Sequence, residues 1–253
     1  MADTVSLEAS EGVLTLTLRR PEARNALSPE LIDALEAAVA RVAADASARV
    51  LVLCGEGKAF CAGMDLRGVL HDPVRMGHML QSLARTSLAL RRLSIPTIAC
   101  VRGAAIGGGC GLMVACDLAV THAESKCGYP EVELGICPAV VAPLLMRRIG
   151  AGRARAMLLT GGVVSGAEAH QLGLATHLAP EGELEQAARA LALKLCGGGA
   201  HALATTKRWL TDLEPELDDA VMRRAAELSA RVIQSDEAQQ RLKARFEAAR
   251  AKA

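Results

Sequence analysis

The stretch from Ser94 to Asp117, SIPTIACVRGAAIGGGCGLMVACD, constrains this chain more than any other. Pro96 opens a short apolar, β-rich run, Thr97 to Val101, and Arg102-Gly103 ends it. Three consecutive glycines follow, Gly107, Gly108 and Gly109, and an apolar helical segment from about Cys110 to Cys116 comes directly after. Consecutive glycines disfavour strand and helix interiors, because glycine loses the most backbone freedom on ordering. They suit a tight turn where another group approaches the main chain closely. A helix start leaves its first N–H groups unpaired and carries partial positive charge. Such a turn offers backbone donors, aimed by a buried helix, to an oxygen that is or becomes negative. A turn needed only for packing is the alternative at this point.

The rest of the chain supplies the frame. GVLTLTL, Gly12 to Leu18, alternates strictly and predicts a half-buried strand. Ser28-Pro29-Glu30 starts a helix, with Ser as N-cap and Pro at the first position, that runs to about Ala44. Arg49 to Cys54 predicts a strand buried on both faces, and KAFCAGMD, Lys58 to Asp65, a loop of small residues. Pro73 to Arg92 predicts a helix, and Leu118 to Thr121 a strand. Lys126 to Gly135 reads as an extended segment and turn. Pro138 to Ile149, Arg153 to Thr160 and Gly166 to Leu172 read as short helices, and Leu174 to Leu178 as a last strand. Four helices close the chain, at Leu184 to Cys196, Ala200 to Leu210, Glu216 to Gln234 and Glu237 to Ala249. Strands alternating with helices predict a mainly parallel α/β core with a helical appendage. We divide it into a core, 1–195, that carries the site, and a helical region, 196–253, for packing on the core or on another subunit.

Composition excludes several classes. The 29 basic and 28 acidic residues give a net charge of +1, which argues against nucleic acid as partner. Residues 1–10 lack a basic-then-apolar signal pattern, and no apolar run is long enough to span a membrane. The eight cysteines form no CxxC pair. They read as reduced thiols of a cytoplasmic protein, with neither disulfides nor a metal site. A nucleophilic Cys61 or Cys110 has no histidine near it in sequence. His71 and His78, seven positions apart, read as partly exposed polar residues rather than a metal or catalytic pair.

Five segments in order carry a resemblance. They are RPEARNALS (Arg20 to Ser28), KAFCAGMDL (Lys58 to Leu66), IPTIACVRGAAIGGGCGLMVACDLAV (Ile95 to Val120), GYPEVELGICP (Gly128 to Pro138) and LTGGVVSGAEAHQLGLA (Leu159 to Ala175). With them the chain resembles the enoyl-CoA hydratase/isomerase, or crotonase, superfamily over nearly its whole length. The resemblance implies a spiral of ββα units with a C-terminal helical trimerisation region. It also implies trimers or hexamers, an acyl-CoA thioester substrate and no separate cofactor. The thioester carbonyl would sit between the backbone N–H groups of Met64 and Gly108, which agrees with the independent reading of the glycine turn. Arg24, Ala26, Ala62, Asp65, Leu66, Gly107 and Pro130 would line the CoA-thioester site, and Lys207 would reach the CoA phosphates.

The same resemblance assigns acid/base work to carboxylates at three positions. Here these are Gly111, Glu131 and Ala139, so Glu131 alone keeps its carboxylate. Adding water across a C2–C3 double bond calls for water activation and proton delivery, which two carboxylates divide naturally. Moving a double bond from C3–C4 to C2–C3 needs one base that takes a proton from C2 and returns it at C4. Glu131 alone suits that isomerisation at least as well as hydration. Glu133 reads as a structural or surface carboxylate, and Asp117 as a structural residue. A CoA-thioester-binding protein with lost catalysis, and other reactions of the superfamily such as decarboxylation or thioester hydrolysis, are the alternatives. AAIGGGCG lacks the GxGxxG spacing of a dinucleotide fold.

Overall fold

The computed structural model describes residues 4–68, 72–214 and 217–250. His71, and Glu216 at the start of one expected helix, lie outside them. The chain opens with β1 (Val5–Ser10) and β2 (Val13–Leu18), paired antiparallel. Their two-residue turn holds Glu11 and Gly12 at φ 54° and 79°, the twist that suits a tight hairpin. Helix α1 (Pro29–Ala44) follows, with the Ser28 hydroxyl accepting from the Leu31 N–H as its cap. Next come β3 (Val50–Gly55), α2 (Pro73–Arg92), β4 (Thr97–Val101), β5 (Ala104–Ile106) and α3 (Gly108–Ala115). The middle of the chain gives β6 (Leu118–Thr121), β7 (Lys126–Gly128), α4 (Ala142–Ile149), α5 (Ala151–Thr160), β8 (Val163–Ser165), α6 (Gly166–Leu172) and β9 (His177–Leu178). The tail is α7 (Leu184–Cys196), α8 (Ala200–Asp212), α9 (Asp219–Ile233) and α10 (Asp236–Arg250).

Six strands form one sheet in the order β1-β2-β3-β4-β6-β9, parallel from β2 onward. A smaller sheet, β5-β7-β8, stands beside it. The central strands are buried on both faces by alternation. Leu51, Leu53, Ala99 and Val101 join the main core with α1, α2 and α3, while Val50, Val52, Ile98 and Cys100 pack with Leu184, Ala188 and Ala192 of α7. Each fully buried leucine contributes about 2 kcal/mol. The tail is no loose appendage, because Met222, Ala226, Ile233 and Leu242 belong to the main core. Among the described residues no helix is long and apolar enough to cross a membrane.

Several expectations change in extent: the helix expected over Pro138 to Ile149, for one, begins only at Ala142. The helix after the glycines begins at Gly108, not Cys110, so two of the glycines form its first turn. The reason is proximity: a side chain on Gly109 would collide with the Cys61 carbonyl, and one on Gly108 would press on Leu27 and Leu83. The final strand shrinks to His177–Leu178, because only these residues pair with β6.

Candidate active site

A cavity of about 590 Å³ opens where α3 begins. Met64, Gly107, Gly108 and Glu131 all line it, together with Arg24, Ala62, Leu66 and Pro130. Four segments distant in sequence meet there, and each is held by identifiable bonds.

The first segment turns sharply after Pro21–Ala23, with Arg24 and Asn25 both at φ 53°. Buried Asn25 fixes this turn. Its Nδ2 donates to the Glu56 and Ala59 carbonyls at 2.9 and 2.8 Å, and its Oδ1 accepts from the Arg20 N–H at 2.8 Å. The second segment, Cys61 to Asp65, is strung between this turn and β5. Ala62 N–H donates to Arg24 O at 3.0 Å, and Cys61 N–H to Ala104 O at 2.9 Å. Leu27 N–H donates to Gly63 O, and Asp65 N–H to Leu27 O. In such a parallel bridge Leu27 bonds the residues on either side of Met64, so the peptide groups of Met64 itself point away from Leu27.

The third segment is the glycine turn. Gly107 sits at φ 54° and ψ −120°, a conformation that L side chains rarely adopt, and it caps α3. Its N–H donates to Gly128 O at 2.8 Å, which ties it to the fourth segment. A side chain at 108 would lie 3.7 Å from Met64 Cγ, so the Met64 side chain approaches Gly108, and both residues line the cavity.

The fourth segment carries Glu131 at the start of a 3₁₀ turn, Glu131–Leu134. Gly135, at φ 72°, reverses the chain, and Ile136 N–H donates back to Glu131 O at 2.9 Å. The Glu131 carboxyl stands over the glycine turn, with Oε1 2.7 Å from where a Gly107 Cβ would be. Its Oε2 is buried and has no hydrogen-bond partner among the described residues. Burial pushes its pKa up to about 7, opposed more weakly by its own backbone N–H. At neutral pH such a carboxyl is about as ready to give a proton as to take one.

The other two candidate carboxylate positions are apolar here. A Cβ on Gly111 would lie 2.6 Å from Val141 Cγ1, so Val141 occupies that space. Ala139 offers only its N–H, to Ser229 Oγ at 3.2 Å. Glu133 is more than a surface residue, since it lines the cavity, but it does so from an exposed position beside Gly161 and Gly162.

Three of the expected binding residues do not line this cavity themselves, although Ala26 and Asp65 lie close in sequence to Arg24, Met64 and Leu66, which do. Ala26 and Asp65 are not among the residues lining the cavity and are both tied to Arg20, whose guanidinium donates to Ala26 O at 2.6 Å and to Asp65 Oδ2 at 3.1 Å. Lys207 lies over a separate hollow, where Nζ pairs with Asp117 Oδ2 at 2.7 Å and donates to Ile95 O at 2.8 Å. Sequence reading missed two cations that do line the cavity, Lys126 and Arg245. Lys126 was legible only as part of an extended segment, and Arg245 only as a polar residue in a late helix. Cys61 and Cys110 are buried beneath the glycine turn, and burial pushes the Cys61 thiol up to about 12 and Cys110 well above its ordinary value. Neither supplies a thiolate nucleophile. No cluster of potential metal ligands gathers among the described residues.

The comparisons agree with one another. The enoyl-CoA hydratase/isomerase family matches residues 8–251. A Thermus thermophilus protein provisionally named enoyl-CoA hydratase is 38% identical over 242 residues, covering 93% of this chain and 94% of its own. The enoyl-CoA hydratase EchA19 of Mycobacterium tuberculosis is 33% identical over 90% of this chain and 87% of its own. The crystal structure of an enoyl-CoA hydratase/isomerase from Mycobacterium paratuberculosis superposes with a TM-score of 0.86 at 25% identity, covering 96% of this chain and 98% of that one. An α/β fold with its glycine turn, its cavity and these relatives over nearly its full length leaves one conclusion: the chain belongs to the enoyl-CoA hydratase/isomerase family.

Proposed function

We propose that the cavity takes an enoyl-CoA thioester and that Glu131 is its acid/base. In this reading the thioester carbonyl oxygen accepts from the N–H groups of Met64 and Gly108. As the oxygen gains negative charge, both donors strengthen, each contributing about 3 kcal/mol to the transition state. Glu131 then moves a proton to or from the substrate carbons next to that carbonyl. The observation that carries the reading is the placement of the Glu131 carboxyl, unpartnered and near neutral pKa, against the Gly107–Gly108 turn.

The cationic side chains Arg24, Lys126 and Arg245 support recognition of the phosphates of CoA at this cavity, a role for which Lys207 is poorly placed. The apolar side chains Leu80, Leu83, Val140, Val141 and Ile233 support an apolar acyl group.

Within this chemistry, one buried carboxyl completes an allylic isomerisation by taking a proton at C2 and returning it at C4. Hydration is the second reading. It is favoured by Glu133 on the same cavity, which offers a second carboxylate for a water, and by relatives named hydratases. Assay of crotonyl-CoA against a 3-enoyl-CoA separates the two. Failure of the purified protein to turn over either, despite binding CoA thioesters, would overturn the proposal and favour a binding protein. Exposed Trp209, Leu210 and Leu213 on or just after α8 support self-association into a trimer or hexamer, which sedimentation would test.

A further inference from the structure

Ser229 is one of few buried polar side chains and sits on α9, nearly a hundred positions after Glu131, with 2% of its surface exposed. Its hydroxyl donates to Cys137 O at 2.7 Å and accepts from Ala139 N–H at 3.2 Å. One side chain thus grips both ends of a three-residue segment. That segment follows directly on Ile136, whose N–H holds the Glu131 carbonyl. The chain from Glu131 to Val141 runs along the cavity, and Glu131, Ile136, Cys137, Pro138 and Val141 line it. Its two ends are anchored differently. Near Glu131 the wall is pinned by the strand bonds at Gly128 and Tyr129. Beyond Ile136 there is no regular element until α4 begins at Ala142, whose N–H reaches back to Pro138 O at 3.2 Å, and the Ser229 side chain bonds the segment at Cys137 and Ala139.

Resting on the reading of Glu131 as acid/base, we infer that Ser229 is a positioning residue for it. The hydroxyl braces Cys137–Ala139, that brace fixes Ile136, and Ile136 fixes the turn on which the carboxyl stands. A carboxyl with an unpartnered oxygen has no hydrogen bond of its own on that side to hold its aim, so its direction depends on the backbone below it. Misplacement on the order of 1 Å in such a site costs about 100-fold in rate.

The test is Ser229→Ala, a change that removes one oxygen and leaves the helix intact. We expect kcat to fall by about 10-fold or more while KM stays within about threefold, because the hydroxyl, though on the cavity wall, spends its bonds on Cys137 and Ala139, and its loss misaligns the proton transfer rather than the binding. Hydrogen exchange should speed up at the amides of both Ala139 and Ile136. An unchanged kcat would overturn the inference, as would faster exchange confined to Ala139. A fall in rate matched by an equal loss of folded protein would also overturn it, since the hydroxyl would then serve stability alone. Glu131→Gln assayed alongside separates the two claims. If that variant stays fully active, the acid/base reading fails; if it is dead while Ser229→Ala is normal, only the role of Ser229 fails.

Discussion

The Glu131 carboxyl lies against the bare α-carbon of Gly107, its Oε1 2.7 Å from the point where a side chain at 107 would begin. The acid therefore occupies volume that glycine leaves open. Gly107→Ala should strike it twice, by straining a backbone at φ 54° and by pushing the carboxyl aside. We expect a loss of activity on the order of 100-fold with a stability loss of about 1–2 kcal/mol. Gly109→Ala meets main chain, the Cys61 carbonyl, which cannot swing away. That variant should fail to fold, and solubility and circular dichroism of the pair would show the contrast.

Glu131→Gln keeps the shape and removes the proton chemistry. The rate should drop by about 100-fold or more, the range general acid–base groups contribute. Affinity for a CoA thioester should stay near the parent value. Calorimetric titration beside a turnover assay checks both halves.

Burial of Glu131 also fixes how stability responds to pH. Its pKa rises from 4.5 unfolded to about 7 folded, so between those values the native state holds more proton than the unfolded chain. Its contribution to stability is fully present below about pH 4.5, is lost as pH rises towards 7, and is absent above. The loss amounts to about 3 kcal/mol. Glu131→Gln cannot ionise, so it should be more stable than the parent at pH 8 and close to it at pH 5. Thermal unfolding at both values tests this; an equal difference at both would count against a neutral buried acid.

Lys207 and Arg245 should part company. Lys207 is mostly buried against Asp117, so Lys207→Ala should cost about 1–3 kcal/mol of stability, with the Asp117 carboxylate left to the Thr97 N–H and hydroxyl among the described residues. The KM for the thioester should hardly move. Arg245→Ala should leave stability within about 0.5 kcal/mol and raise KM several-fold, most at low salt. Steady-state kinetics at two ionic strengths would tell them apart.

How much of this was legible follows from how local each signal is. Helix α1 announces itself through Ser28 and Pro29, and β2 through strict alternation, because neighbours in sequence suffice to define them. Strands β5 and β8 have three residues each and exist only because they pair with β7, so nothing in AAI or VVS marks them. β1 escaped notice because half of it is exposed at a sheet edge. Glu131 was legible only through the resemblance, which puts a carboxylate after the proline of GYPEVELGICP; nothing local to it marks an acid/base. The true position of Lys207 was not, since its partner Asp117 lies 90 positions earlier in the chain. Arg245 was invisible for the same reason: only folding brings α10 over the first half of the chain.

That late arrival has a consequence for how the protein is made. The cavity wall includes Ser229, Ile233 and Arg245, contributed by the last two helices. A ribosome that has synthesised every strand of both sheets has still not built the wall that closes this cavity. A premature stop codon shortly before Asp219 would therefore yield a polypeptide bearing Met64, Gly108 and Glu131 yet lacking part of the enclosure that surrounds them.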